Sequence, residues 1–453
     1  MPSPARSAVA PLYLLACLLL GGSAQGIWQN AVLQLAGIAI IAWAAASHDP
    51  EPLPRAARML LVLAAAVIAV VALQLVPLPP SLWAHGSRMR IAEGYQLLGR
   101  PIPALPLSLT PAATMSTLLC IIPPLALFCA MVRLRAYRAV WLAVALVGGT
   151  VLGIMLGALQ VASSGTLSPW YPYPDTNLGA GVGFFANANH MATLLIVTLP
   201  FLAAIGASGR GRNKQRYSAL LAVVAAAALL VVVGIAFNHS LAGYLLLLPV
   251  ALASSLILIS RGSRLRRWVA IAAAVLVVAA MGALASSAIG GTRIGQDAPV
   301  SVDSRAHILH TTGEAIADFL PFGSGLGSFP NIYRLYEDPD TVTAEYVVHA
   351  HDDYAEIALE LGVPGIILML AFLVWWSREV WSVWRRGERG AFAKAASIAS
   401  AAILVHSLVD FPLRTAAIGA CFAMCLALLA DRRVPPPRQE AQDLRPTRHL
   451  VIR

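Results

Sequence analysis

The apolar residues of this chain fall in long blocks rather than in alternating or one-sided stripes. Blocks of about 18–22 apolar residues match the hydrocarbon thickness that a helix crosses. Strands of a membrane barrel would instead alternate over about 10 residues, and no such alternation is visible. The blocks lie at about 8–25, 27–46, 59–79, 113–132, 139–161, 189–208, 217–237, 242–260, 268–288, 363–384, 395–410 and 413–431. They predict an all-α polytopic membrane protein with about 12 transmembrane helices, since in lipid only helices or closed barrels satisfy the backbone.

The polar segments between the blocks orient them. VRLRAYR (132–138), GRGRNKQR (209–216), RGSRLRR (261–267), RRGERGAFAK (385–394) and the tail DRRVPPPR are basic and fall on alternate loops. Cytoplasmic loops carry such an excess of Lys and Arg, so both termini are expected in the cytoplasm. The intervening loop 162–188 has neither residue. Two long segments then face the other side, 80–112 and 289–362, and the second is long enough for a helical periplasmic subdomain. The expected organisation is N-terminal spans over 1–288, about nine in number, the large loop 289–362, C-terminal spans over 363–431 and a basic tail 432–453. The start MPSPARSAVAPLYLLAC resembles a secretory or lipoprotein signal around Cys17, but the apolar run continues past it, so an uncleaved first span is expected.

Composition agrees: 58% hydrophobic residues, 12% charged and a mean hydropathy of +0.73 exceed what a soluble core needs. The net charge of +10 sits in short loops, where it sets topology and gives no reason to expect nucleic acid. All five cysteines lie inside apolar runs and read as packing residues.

Against this background the ionisable residues of 303–362 stand out. DSRAHILHTTGEAIAD (303–318) has helical spacing, with Asp303 or Ser304 placed to cap and Arg305, His307 and His310 projecting. A Pro/Gly-rich turn follows, and then VVHAHDDYAEIALELGVPG (347–365) predicts a helix from near His351 with Asp352 and Asp353 at its positive end. Asp353, Glu356 and Glu360 would share one wet face, with Ile357, Ala358 and Leu361 turned inward. The pairs His307/His310 and His349/His351 could offer imidazoles to a metal, but nothing enforces the geometry, so no metal is expected. GSGLGS (323–328) lacks the Lys-Ser/Thr of a phosphate loop and reads as a turn. Arg305 and His351 either are ordinary solvated loop residues or suit a reaction in which a phosphate leaves and a hydroxyl attacks. A guanidinium pairs with phosphate oxygens and an imidazole moves a proton near neutrality.

His351-Asp352, nine residues and then Gly362 follow the spacing of the His-Asn…Gly signature in the last large loop of the O-antigen ligase and polymerase superfamily. With Arg305, PFGSGLGSF (321–329), FANANHMA (185–192), VPLPPSLW (76–83) and PLSLTPAAT (106–114), the chain resembles that superfamily, its ligase-type members above all, from about residue 75 to 430. The resemblance implies a membrane glycosyltransferase of the GT-C type in the bacterial inner membrane, working without metal or cofactor. It implies a glycan donor on undecaprenyl diphosphate and an attacking hydroxyl of a glycan or lipid A–core acceptor at the periplasmic face, with inversion. Arg305 would neutralise the diphosphate and His351 would orient or deprotonate the hydroxyl. Two positions depart from the pattern. Asp352 replaces the usual Asn and should favour protonated His351. Leu241 replaces a second family arginine, which leaves Arg293, Arg334, Arg88 or Arg90 to assist Arg305. His349, Asp352, Asn187, His190 and His239 are further candidates for substrate contact. A polymerase or a protein O-oligosaccharyltransferase shares this region. A transporter of lipid-linked glycans is the reading from another class, although mid-span charges would be expected of one.

Overall fold

The computed structural model describes residues 3–24, 26–47, 52–163, 168–173, 177–210, 213–259, 263–289, 298–339, 346–385 and 390–431. Among them the structure is helical, with one isolated antiparallel bridge between Leu78 and Leu105. The first helices are α1 (Pro4–Leu20), α2 (Trp28–Ala46) and α3 (Arg55–Gln74), followed by the short α4 (Pro80–Trp83) and α5 (Met89–Leu97). Next come α6 (Pro111–Leu119), α7 (Ile122–Val132), α8 (Ala139–Ala162), α9 (Ala188–Ser208), α10 (Lys214–Asn238), α11 (Leu241–Leu258) and α12 (Arg264–Ile289). The chain continues through α13 (Ala298–Phe319), α14 (Phe329–Tyr336), α15 (Asp353–Arg385), α16 (Ala391–His406) and α17 (Ala416–Ala430).

Eight helical segments among the described residues are long and apolar enough to cross a membrane: α2, α3, the broken pair α6–α7, α8, α9, α10, α11 and α15. Four shorter apolar helices accompany them, at Pro4–Leu20, Arg267–Ala279, Ala391–His406 and Ala416–Ala430. Each coincides with one of the apolar blocks of the sequence. Arg293 and the tail 432–453 lie outside the described residues.

In lipid, helices gain little from expelling water from one another, so close approach of small side chains carries the packing. The sequence supplies them. Ala395, Ala396 and Ala399 of α16 and Ala417, Ala420 and Cys421 of α17 are wholly buried. The most enclosed of the eight long segments is α9, which packs against α8, α10, α11 and α16. The hydroxyl of its buried Thr198 lies 2.8 Å from that of Thr150 of α8, one donating to the other, and each also lies 2.8 Å from the carbonyl four residues back. Cys17, Cys421 and Cys425 are unpaired and buried in the core, as packing residues should be.

A second, smaller core sits at one end of the bundle, called here the site end. Ile308 and Phe319 of α13 meet Phe329, Ile332 and Tyr333 of α14, together with Ala350 and Leu359. Helix α13 begins at Ala298, five residues ahead of the expected cap at Asp303 or Ser304. Pro299 falls in its first turn, where a missing N–H costs nothing, and no breaker separates it from Arg305.

The turn 320–328 is knitted to both neighbours through backbone groups. Ser324 N donates to Leu359 O (2.8 Å), Gly325 N to Glu360 O (2.9 Å) and Val363 N to Pro321 O (2.9 Å). From the other side Gln74, at the end of α3, donates to Glu360 O (2.9 Å) and accepts from Leu326 N (3.2 Å). Gly362 stands at the junction with φ 60° and ψ −148°, and there α15 breaks into an amphipathic half, 353–361, and an apolar half. A Cβ at Gly362 would run into the backbone of Pro321, Phe322 and Gly323.

Gly362→Ala therefore lowers stability by about 1–3 kcal/mol from backbone strain alone, and further if the turn is displaced. Thermal unfolding of the detergent-solubilised protein checks this, and an unchanged midpoint would contradict it.

Candidate functional site

The site end gathers its ionisable groups from two stretches, 349–360 and 406–414, with 361–405 between them in sequence. The local backbone explains the first. His351 adopts φ 53°, and Asp352 then caps the helix, its Oδ1 accepting from Tyr354 N (2.8 Å) and Ala355 N (3.0 Å). Burial pushes the Asp352 carboxyl up, opposed by those two N–H groups. Asn and Asp cap helices about equally well, so the departure from His-Asn keeps the same local structure. The Asp352 carboxylate is spent on the cap, and the carboxylate that faces His351 is another one.

That carboxylate is Asp410, wholly buried in the turn between α16 and α17. His351 Nδ1 lies 3.4 Å from Asp410 Oδ1, a charge contact longer than a well-formed hydrogen bond. His190 Nε2 of α9 approaches the same oxygen at 4.0 Å. Burial alone would push the Asp410 carboxyl up. The rings of His351 and His190 and the charge of Arg305 outweigh it and hold Asp410 well below the usual carboxylate range. Such a group contributes stability above its unfolded pKa of about 3.9 and loses it only as pH falls toward the lower folded value, so Asp410 stays ionised at working pH. Phe411 organises the histidines around it. Ring centroids of His349, His190 and His351 lie 3.9, 5.0 and 5.1 Å from its own. The buried His190 has neither ring nitrogen hydrogen-bonded, an arrangement with no structural reward of its own.

On the other side of His349 the charges invert the sequence expectation. Asp353, Glu356 and Glu360 do not share a wet face: they are 4%, 0% and 1% exposed. They close around Arg414, which follows Asp410 by four residues. Its Nη2 lies 2.6 Å from Glu356 Oε2 and 3.2 Å from Glu360 Oε2, and its Nε lies 3.6 Å from Asp353 Oδ1. Glu356 Oε1 also accepts from Ala350 N (2.8 Å) and sits 2.9 Å from His349 Nδ1. Burial would push the Arg414 guanidinium down, but Glu356, Glu360 and Asp353 hold it above its ordinary value. The i, i+3, i+7 spacing is the same for a wet stripe and for a stripe facing a buried cation, so only the partner decides between them.

Other expected residues have different positions. Arg88 is buried, with Nη2 donating to Leu107 O (2.7 Å) and Gly323 O (2.5 Å), and burial pushes its pKa down. It ties the 80–110 segment to the turn through these two carbonyls. Arg334 is exposed and lies 4.9 Å over the Tyr346 ring, and Arg90 is exposed beside Tyr336. His239 is the left-handed C-cap of α10, and Asn187 caps α9 by accepting from Asn189 N (2.8 Å). Leu241 opens α11 behind Ser240, whose hydroxyl donates to Asn189 Oδ1 (2.7 Å). His310 pairs with Glu314 at 3.8 Å on an exposed face, away from His349 and His351. Among the described residues, no group of three or more His, Cys, Asp or Glu is arranged to hold a metal ion.

A cavity of about 650 Å³ runs between α3, α7, α15 and α17, within the size range of ligand pockets. Leu60, Val67, Phe128, Met369 and Phe422 line its depth; His349, Asp353, Glu360 and Arg414 close its polar end. His349, which lines the cavity, lies tilted against the Phe411 ring, and His351 meets that same ring edge-on.

Asp410, Arg414 and His406 are the groups that sequence reasoning missed. The signal was present in HSLVDFPLR (406–414), three ionisable residues at spacings of four in the turn between two apolar blocks.

Residues 226–370 match the family model described as O-antigen ligase. The matched segment holds Arg305, the turn 320–328, His351 and Gly362, whereas His190, Asp410 and Arg414 lie outside it. No curated protein matches the chain.

The capping account makes a direct prediction for Asp352. Asp352→Asn leaves thermal stability within a few tenths of a kcal/mol, whereas Asp352→Ala costs about 1 kcal/mol. Equal losses in the two variants, measured by thermal unfolding in detergent, would reject the cap.

Proposed function

We propose that this chain, a multi-pass membrane protein whose residues 226–370 belong to the O-antigen ligase/polymerase superfamily, is a glycosyltransferase. It moves a glycan from undecaprenyl diphosphate to a hydroxyl of a glycan or lipid A–core acceptor. Ligase-type transfer is favoured by the His351–Gly362 spacing; polymerisation and protein glycosylation are the alternatives within the family. The observation that carries the reading is the convergence of His351, buried Asp410 and the charge of Arg305 at one end of the bundle, back to back with an apolar cavity.

In this reading the bundle makes twelve crossings of the bacterial inner membrane, the four shorter apolar helices completing the eight long ones. The termini are cytoplasmic and the site end, with the 289–362 subdomain, is periplasmic. The aliphatic chain of the donor lies in the cavity and its diphosphate passes the His349–Phe411 pair toward Arg305. Arg414 is unsuited to the diphosphate, because three carboxylates already surround it.

Chemically, the acceptor oxygen attacks the anomeric carbon from the face opposite the diphosphate. The new C–O bond forms as the bond from carbon to phosphate oxygen breaks, which inverts the carbon. The hydroxyl proton passes to Nε2 of His351, while Nδ1 faces Asp410, so the imidazolium that forms meets a fixed negative charge. Arg305 stabilises the charge accumulating on the departing diphosphate.

His351→Ala and Arg305→Ala each lower transfer at least about 100-fold with membrane levels of protein near wild type. Complementation of a deletion strain, read by surface-glycan electrophoresis, checks this, and full activity of either variant removes that residue from the site. Ala64→Trp, which fills the cavity wall, raises the KM for the lipid donor more than it lowers kcat. An unchanged donor KM would put the chain elsewhere.

A further inference from the structure

Asp410 acts on His351 across a gap that neither residue fixes alone. His351 sits on the irregular segment 346–352 in a backbone conformation uncommon for a residue with a side chain, and Asp410 sits on a turn between two helices. Their side chains are not joined by a well-formed hydrogen bond, so their spacing must be held from outside.

The holding contacts all lie on one side. Asp353 N donates to Ser407 O (3.0 Å), and Ser407 Oγ donates back to Asp353 Oδ2 (2.8 Å). At the far end of the turn, Arg414 reaches Asp353, Glu356 and Glu360, on three successive positions of one helix face. Glu356 in turn takes Ala350 N and the His349 ring, the two residues that precede His351. The segment around His351 and the turn around Asp410 are therefore joined at two points, by the Asp353–Ser407 pair before Asp410 and by the Arg414 guanidinium after it. A planar guanidinium holds its donors in a fixed fork, whereas the three donors of an ammonium rotate about a flexible stem and fix the partners' spacing less closely.

We propose that Arg414 is a positioning residue: by binding Asp353, Glu356 and Glu360 it sets the separation between His351 and Asp410. The proposal rests on the transferase reading for its kinetic consequence, but its structural half stands without it. In this reading Arg414 contributes through its three carboxylate partners and not through the diphosphate. It works through Asp410, and that route distinguishes it from a residue that only stabilises the fold.

The test is a double-mutant cycle between Arg414→Lys and Asp410→Asn on the full chain in nanodiscs, with transfer from a lipid-linked glycan as readout. Arg414→Lys keeps the charge and loses the fork, so kcat falls about 10-fold or more while the donor KM stays within about 2-fold. In the Asp410→Asn background the same substitution changes kcat by less than about 2-fold, because the interaction it served is already gone. Hydrogen exchange of Arg414→Lys shows loss of protection confined to 346–361 and 407–415. Multiplicative effects in the cycle, a wild-type kcat, or unchanged protection in those two segments would each overturn the proposal. If Arg414→Lys is not recovered folded, Glu356→Gln removes the shortest of the contacts and carries the same expectations. A wild-type chain without transfer in this assay would reject the transferase reading instead, and the exchange measurement would still decide whether Arg414 holds the two segments.

Discussion

Three carboxylates buried on one face of a helix are driven toward their neutral forms unless a cation meets them, and the rest of the site end follows from how this chain supplies one. Removing a charge from water costs several kcal/mol per ion, and breaking a buried pair by deleting one partner typically costs about 3–5 kcal/mol. Arg414 meets that requirement from the turn between α16 and α17, with its guanidinium against Asp353, Glu356 and Glu360. The consequence is positional. The turn cannot move without stranding the carboxylates, so Asp410, four residues before Arg414, is held beside His351 and His190.

A second constraint is steric and comes from Gly362. Because its Cα carries no side chain, the turn 320–325 can lie directly on the end of the amphipathic half of α15. That contact seats α14 and α13 over the site end and so brings Arg305 within electrostatic reach of Asp410. The Gly-rich turn, the Gly362 break and Gln74 at the end of α3 are parts of one backbone junction. Charge fixes one side of His351 and backbone packing fixes the other.

The blocks of apolar sequence were legible because a bilayer imposes a length on every crossing, and each block has its helix. The Gly362 break, the Gly-rich turn and the importance of Asp352 at a helix start were legible because Gly, Pro and capping residues act locally. The start of α13 was misplaced by five residues because Pro299, a first-turn signal, was passed over in favour of Asp303. The orientation of Asp353, Glu356 and Glu360 was not legible at all. Periodicity shows that residues share a face but not what the face meets, and Arg414 is more than 50 residues away in sequence. Arg88 illustrates the same limit: an arginine in an outer loop suggests a phosphate, yet this one is buried with its Nη2 on the Leu107 and Gly323 carbonyls. Asp410 was hidden for a simpler reason: it is a single carboxylate at the junction of two apolar blocks, and its partners His351 and His190 are distant in sequence.

The central claim is that this bundle performs group transfer at its outer end rather than carrying its lipid-linked substrate across the membrane. Its most direct test is a single-turnover measurement in nanodiscs, with purified undecaprenyl-diphosphate-linked glycan, an acceptor and no ion or voltage gradient. The account predicts one free lipid diphosphate for each glycosylated acceptor, with the anomeric linkage inverted. Flipping of the same lipid in vesicles without any release of diphosphate in nanodiscs would contradict it.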